Sequence, residues 1–188
     1  MLELSHISKS FEGKPILKDF SLRLSPGFYA VTGPSGVGKT TLLRIVAGLE
    51  KYSGTVAGAG QISYCFQEPR LLPWCTAWEN VALVSNRKTA AALLSRMGLE
   101  KELSAYPAEL SGGMQRRVSL ARALAAPYDT LLLDEPLTGL DDSTAKAVLE
   151  VTRKNAQGKT VLFVTHNQEL FTAFDGEIKL HIQNKRLL

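Results

Sequence analysis

The octad Gly33-Pro34-Ser35-Gly36-Val37-Gly38-Lys39-Thr40 spaces glycines ahead of a lysine and a hydroxyl in the pattern G-x-x-x-x-G-K-[ST]. That combination suits a polyphosphate. Glycines let the backbone curl so that successive N–H groups point inward at β- and γ-phosphates. Lys39 has the reach and charge for the terminal phosphates, and the Thr40 hydroxyl is a hard oxygen suited to Mg²⁺. Before the octad, Phe28–Thr32 reads as a short apolar strand; after it, Thr41–Ala47 reads as a helix stopped by Gly48. The loop therefore opens onto a helix N-terminus, whose dipole favours an anion, and Thr41 joins the candidate nucleotide-holding set. A glycine-rich turn before a helix is the plainer alternative.

Two further segments carry chemistry. Leu131-Leu132-Leu133-Asp134 is an apolar strand ending in an acid, with Glu135 and Pro136 directly behind it. Ligands gather at the carboxyl ends of buried parallel strands. Asp134 is placed to hold Mg²⁺ through water, and Glu135 to orient and polarise an attacking water. Leu110-Ser111-Gly112-Gly113-Met114 opens a second helix. There Ser111 has the chemistry of an N-cap, and the two glycines allow a phosphate close to the backbone.

The elements that must position these residues follow a strand–helix alternation. Residues 1–32 alternate in the β manner, with turn signals at Glu12-Gly13 and Ser25-Pro26-Gly27. Ser53–Val56 and Gln61–Phe66 read as short strands around a Gly58-Ala59-Gly60 turn. From about Glu68 to Pro127 the pattern is helical, clearest over Lys88–Met97 and Gln115–Ala126. Strands return over Thr130–Asp134 and Thr160–Thr165, with a helix from about Ser143 to Asn155 between them. A phosphate loop after a strand, within such alternation, implies an α/β fold with a mainly parallel sheet. The helical middle reads as a lobe inserted into that core.

Composition sets bounds. The 188 residues make one domain by size, 45% hydrophobic and 21% charged, as in ordinary globular proteins. No apolar stretch approaches the roughly 18–20 residues of a bilayer span, and no secretion signal opens the chain. Cys65 and Cys75 form no C-x-x-C pair, and His6, His166 and His181 are scattered, which fits a reducing cytosol without structural zinc or disulfide. The net charge of +4 is spread without a basic run and does not by itself select a partner.

The three motifs, in this order, resemble those of ATP-binding cassette (ABC) proteins over nearly the whole chain. Ser111, Gly112 and Gly113 match the family's signature motif, which completes the ATP site of a second subunit. The resemblance implies a P-loop NTPase core of the RecA-like kind, an N-terminal antiparallel β subdomain, and an inserted α-helical lobe. Residues 1–188 would form one nucleotide-binding domain, with a core at about 1–67 and 127–188 and a lobe at about 68–126. It implies ATP and Mg²⁺ as cofactors, and roles at four more positions. Gln67 resembles the glutamine that touches Mg²⁺ and the attacking water and hinges the lobe. Asp141, in Thr138-Gly139-Leu140-Asp141, resembles part of a loop crossing between subunits. His166 resembles the histidine that contacts the γ-phosphate. Phe11 resembles the aromatic that stacks on adenine, although tyrosine is more usual there; packing within the first sheet is its alternative.

Some features depart from the family. Met114 stands where glutamine is frequent, the Gln67–Ser111 segment is short, and only 22 residues follow His166, which points to a minimal cassette without a regulatory domain. Gln67-Glu68-Pro69-Arg70-Leu71-Leu72-Pro73-Trp74 is similar to cassettes serving importers of nitrate, sulfonates and taurine. That similarity implies an ATPase powering import through a separate integral-membrane permease, at the cytoplasmic face of a bacterial inner membrane. It also implies an ATP-dependent homodimer, an indirect solute-binding protein and no nucleic acid partner. Leu71, Leu72, Trp74 and Trp78 either supply an apolar contact for the permease or pack inside the lobe. Two rival readings are a soluble cassette ATPase acting on DNA or ribosomes, which lacks its usual insertions here, and a small-molecule P-loop kinase, which leaves Ser111–Met114 and His166 unexplained.

Overall fold

The structure is a computed structural model that describes residues 1–165 and 174–179. At the N-terminus, β1 (Leu2–Phe11) and β2 (Lys14–Leu24) pair antiparallel. They turn through Glu12 and Gly13, both with positive φ (49° and 77°). This handedness suits the twist of a two-residue hairpin. β4 (Ser53–Ala57) pairs along the other edge of β1, giving the order β2-β1-β4. The second sheet holds β3 (Gly27–Thr32), β5 (Ile62–Cys65), β6 (Thr130–Asp134), β7 (Thr160–Val164) and β8 (Gly176–Lys179). Its order is β5-β6-β7-β3-β8 with every pair parallel. The antiparallel subdomain and mainly parallel core expected from the sequence are both present.

The two strands flanking Gly58-Ala59-Gly60 lie in different sheets, so this turn carries the chain from one layer to the next rather than closing a hairpin. Gly58 is required there. Its φ is +71°, and a Cβ would lie 2.0 Å from the Met1 carbonyl oxygen.

The helices are α1 (Lys39–Val46), α2 (Ala77–Ala82), α3 (Arg87–Arg96), α4 (Gly112–Ala125) and α5 (Asp142–Asn155). α4 begins where the N-cap chemistry of Ser111 places it, three residues ahead of its clearest apolar periodicity, with Ser111 Oγ accepting the Met114 N–H (3.3 Å). α2 was not singled out by periodicity. A capping box forms it: Glu79 N–H donates to Thr76 Oγ1 (3.2 Å), and Thr76 N–H donates to the Glu79 carboxylate (2.8 Å).

Strand alternation divides the core into two layers. Val31, Leu132, Leu162 and Val164 face α1 and pack with its Leu42, Leu43, Ile45 and Val46. Leu131, Leu133, Val161 and Phe163 face the other way, onto Val118 and Ala121 of α4 and Val148 and Leu149 of α5. Val81, Leu94 and Leu99 of the helical segment belong to that same layer, so α2 and α3 share one core with the sheet. Each such leucine or valine contributes about 1.5–3 kcal/mol by burial. The same alternation sends Asp134, two residues beyond Leu132, to the α1 face.

Loop 69–76 is fixed by a polar knot. Asn80 is fully buried and accepts from Leu72 N–H (2.9 Å) and Arg122 Nη1 (3.3 Å). Its amide donates to the carbonyls of Leu72, Cys75 and Thr76 (3.2, 3.0 and 3.0 Å). Arg122 Nη2 donates to the carbonyls of Pro69 (3.1 Å) and Arg70 (3.0 Å). No described helix is long and apolar enough to cross a membrane. Replacing Asn80 with Ala strands several buried partners at once and is expected to lower stability by about 2–4 kcal/mol. Urea unfolding measures this, and a loss under about 1 kcal/mol would show that the knot does not hold the loop.

Candidate functional site

The phosphate-type loop leaves the end of β3 with three glycines at positive φ: Gly33 (134°), Gly36 (72°) and Gly38 (107°). Pro34, Ser35 and Gly36 are exposed, while Val37, Gly38 and Lys39 are buried. Gly38 is the N-cap of α1 and offers no side-chain acceptor, so the first N–H groups of that helix are free of a side-chain cap. Lys39 is 6% exposed, and its Nζ donates to the carbonyls of Gly33 (2.8 Å) and Pro34 (2.9 Å). Burial lowers its pKa, opposed by the nearby Glu135 and Asp134 carboxylates. Thr40 and Thr41 follow in the first turn of α1.

Asp134 ends β6 with 2% exposure. Its Oδ1 accepts from the Thr40 hydroxyl (3.1 Å) and its Oδ2 from the Tyr64 hydroxyl (3.3 Å). Burial pushes its pKa up, while the Thr40 and Tyr64 hydroxyls pull it down. Glu135 follows in the left-handed region (φ 51°), a conformation that costs a non-glycine residue about 1–3 kcal/mol. The turn brings its carboxylate within 3.5 Å of Gln67 Nε2 and 3.4 Å of Thr138 Oγ1. Thr40, Gln67, Asp134 and Glu135, drawn from three separate parts of the sequence, therefore meet at the carboxyl ends of the strands.

A cleft of about 180 Å³ opens there, lined by Thr40, Arg44, Tyr64, Phe66, Gln67 and Asp134 among others. Arg44 and Tyr64 were not singled out from the sequence. Arg44 lies one turn after Thr40 on α1 and was legible as a neighbour of the motif residues, whereas Tyr64 meets Asp134 only through the pairing of β5 with β6. A larger cavity, about 440 Å³, lies beside Phe28, Arg153, Lys159 and Asp175 at the opposite ends of β3 and β7. It contains none of the candidate site residues, and the smaller cleft has the chemistry.

The remaining candidates are dispersed. Ser111 and Gly112 are exposed at the start of α4. Gly113 packs on the Thr138–Asp141 turn, where a Cβ would lie 3.0 Å from Leu140 Cδ2, and Arg116 Nη1 donates to the Thr138 carbonyl. Asp141 caps α5, accepting from Thr144 N–H (2.9 Å) and Ser143 Oγ (2.6 Å), and these donors hold its carboxyl well below the usual range. Phe11 is 43% exposed at the end of β1, so it is not packed inside the first sheet; Lys9 Nζ sits 4.4 Å from its ring centre. His166 lies outside the described residues. Leu71 and Trp78 pack against the helical core, Leu72 is half-buried, and Trp74 stands 71% exposed.

Gly38→Ala tests the local constraint. A Cβ at φ +107° would meet Ile16 Cγ2 at 2.6 Å, whereas Gly13, at +77°, has nothing within 4 Å. Gly38→Ala is expected to cost about 2–3 kcal/mol and lower Tm by roughly 5–10 °C with loss of nucleotide binding. Gly13→Ala serves as the control with backbone strain alone. Equal thermal shifts in the two variants would show that the loop does not depend on Gly38.

Comparison with known proteins places the fold in a known family. A family model described as ABC transporter matches residues 17–138. The aliphatic sulfonates import ATP-binding protein SsuB of Delftia acidovorans is 42% identical over 176 residues, covering 88% of this chain and 73% of that protein. SsuB 1 of Rhodococcus jostii is 42% identical over 180 residues, covering 89% of this chain and 74% of its own length. Among solved structures, a dimeric post-hydrolysis state of the ATP-binding cassette MJ0796, bound to ADP and Pi, superposes with a TM-score of 0.89 at 30% identity. That match covers 100% of this chain and 96% of the other. With the motif residues, the fold and these relatives in agreement, the chain belongs to the ABC transporter family, as an ATP-binding cassette that hydrolyses ATP.

Proposed function

We propose that this cassette powers import of an aliphatic sulfonate or a related small anion through a separate membrane-spanning permease, at the cytoplasmic face of the membrane. The import and sulfonate parts rest on the names of the SsuB relatives. The hydrolytic part rests chiefly on one observation, the meeting of Thr40, Gln67, Asp134 and Glu135 at one end of the sheet. In this reading residues 68–126 form the lobe that meets the permease, with exposed Trp74 at the contact, and a solute-binding protein acts only indirectly.

The residue roles follow from position. N–H groups of the Gly33–Gly38 loop and of Lys39, Thr40 and Thr41 hold the phosphates, and Phe11 offers a ring face to adenine. Lys39 exchanges its two backbone carbonyls for phosphate oxygens, which are stronger acceptors. Glu135 orients the attacking water and takes its proton, with Gln67 holding the carboxylate. His166 contacts the γ-phosphate.

The donor set fits Mg²⁺. Among the described residues no group of three or more His, Cys, Asp or Glu could form a metal cage by itself. A hydroxyl (Thr40), a carboxylate (Asp134) and an amide (Gln67) beside a phosphate loop are hard oxygens, the set a cation sharing its shell with phosphates and waters requires. Mg²⁺, when bound, neutralises charge on the phosphates. The Thr40 O–H donates its hydrogen bond to Asp134, which leaves the hydroxyl lone pairs for the cation. The exposed Ser111–Gly113 helix start of a second copy completes the site from the far side of the nucleotide, with Asp141 in the turn that crosses between the two.

Glu135→Gln is the direct test. Hydrolysis by the purified variant is expected to fall about 10²–10⁴-fold with nucleotide affinity retained. Normal turnover would remove Glu135 from the role of base. The same variant, recovered from detergent-solubilised membranes with MgATP, should bring a hydrophobic multi-span subunit with it. Recovery of ribosomes or DNA-bound factors alone would overturn the transporter reading while leaving the ATPase intact.

A further inference from the structure

Asp134 has two hydroxyl donors, and only one belongs to the phosphate loop. The second, Tyr64, stands on β5, next to β6 and in parallel register, with Tyr64 opposite Leu132. Ser63 and Cys65 face α4, where the Ser63 hydroxyl donates to the Ala123 carbonyl (2.7 Å) and Cys65 approaches Ser119. Alternation therefore turns Tyr64 to the α1 face, the face of Asp134. From its position beside Leu132 the ring reaches forward along the strands, and its hydroxyl meets Oδ2 at 3.3 Å.

The ring is itself held. Phe66 stacks on it with centroids 4.2 Å apart and planes 17° from parallel. The Arg70 guanidinium lies 4.2 Å over the Phe66 ring. Arg70 has a left-handed backbone (φ 46°), and its carbonyl accepts from Arg122. The stack Arg70–Phe66–Tyr64 thus runs from the loop that carries Gln67 to Oδ2 of Asp134. A phenylalanine at position 64 would fill the same stack and bury the same ring. What the tyrosine adds is one O–H, and that O–H is on Asp134.

We propose that Tyr64 is a positioning residue for the divalent cation, fixing the Asp134 carboxylate between two hydroxyls and linking its orientation to the loop bearing Gln67. The proposal rests on the reading of Asp134 as the carboxylate that serves the cation. A carboxylate with one oxygen tied to Thr40 can still pivot about that bond. The second donor removes this freedom, and losing such an outer partner typically costs 10–100-fold in metal affinity.

The test is Tyr64→Phe, using a fluorescent non-hydrolysable ATP analogue titrated in EDTA and at stepped concentrations of free Mg²⁺. Wild-type protein should bind the analogue more tightly as Mg²⁺ rises. Tyr64→Phe should need on the order of tenfold more Mg²⁺ for the same gain, with affinity in EDTA unchanged and Tm lowered by only the few degrees that loss of one buried hydrogen bond costs. Phe66→Leu, which removes the stack but keeps the hydroxyl, should shift the Mg²⁺ dependence in the same direction by less. A Tyr64→Phe curve superimposable on wild type would overturn the proposal while leaving the Asp134 reading intact. A wild type whose affinity ignores Mg²⁺, together with an unaffected Asp134→Asn, would overturn both.

Discussion

The hydrogen bond from Thr40 to Asp134 joins two distant parts of the chain that the packing of α1 on the sheet has already brought face to face. Thr40 belongs to the first turn of α1, ninety-four residues before Asp134 at the end of β6. The bond forms because β6 alternates Leu132 and Asp134 onto the face that α1 covers, and because the loop from β3 launches α1 directly over that face. A carboxylate at 2% exposure is costly unless its lone pairs are engaged, so the hydroxyls here are structural requirements as much as chemical ones. The same requirement keeps Lys39, itself buried, within the field of Asp134 and Glu135.

Around that bond the fold separates what must be rigid from what must meet a partner. The parallel sheet fixes the phosphate loop at the end of β3 and Asp134 and Glu135 at the end of β6, and the shared apolar core ties the helical segment to it. The start of α4 has a different character. Its serine and first glycine are exposed, and its inward contacts run to the Thr138–Leu140 turn behind Glu135. A helix N-terminus with free N–H groups attracts an anion. Within one chain this is a surface feature; in the function proposed above, a second chain facing head to tail makes it the second wall of the nucleotide site. The MJ0796 cassette, which superposes on this chain, is itself dimeric in its solved structures.

Much of this was legible in the sequence because the signals were local. Glycine spacing at 33, 36 and 38 maps onto positive φ, an apolar run ending in Asp134 maps onto a buried strand end, and Glu12-Gly13 maps onto the hairpin turn. Non-local facts were not legible. Nothing in the Gly58–Gly60 turn says that its flanking strands join different sheets, since that depends on pairing with strands as distant in sequence as β1 and β6. α2 has too few turns to show periodicity, although its Thr76–Glu79 box was in plain view. Tyr64 read as strand filling, because its hydroxyl partner is seventy residues distant. Asp141 shows the limit of resemblance in the other direction, for within the single chain its carboxylate is occupied in capping α5.

The central claim is that one cassette builds a metal-nucleotide centre from its own strand ends, and that a second copy closes it through Ser111–Gly113. Light-scattering mass of the Glu135→Gln protein in MgATP and in MgADP, with and without Ser111→Arg, addresses this directly. The account predicts twice the 20.5 kDa chain mass in MgATP alone, and a monomer in MgADP or whenever Ser111→Arg is present. Monomer in saturating MgATP, or a dimer indifferent to Ser111→Arg, would contradict it.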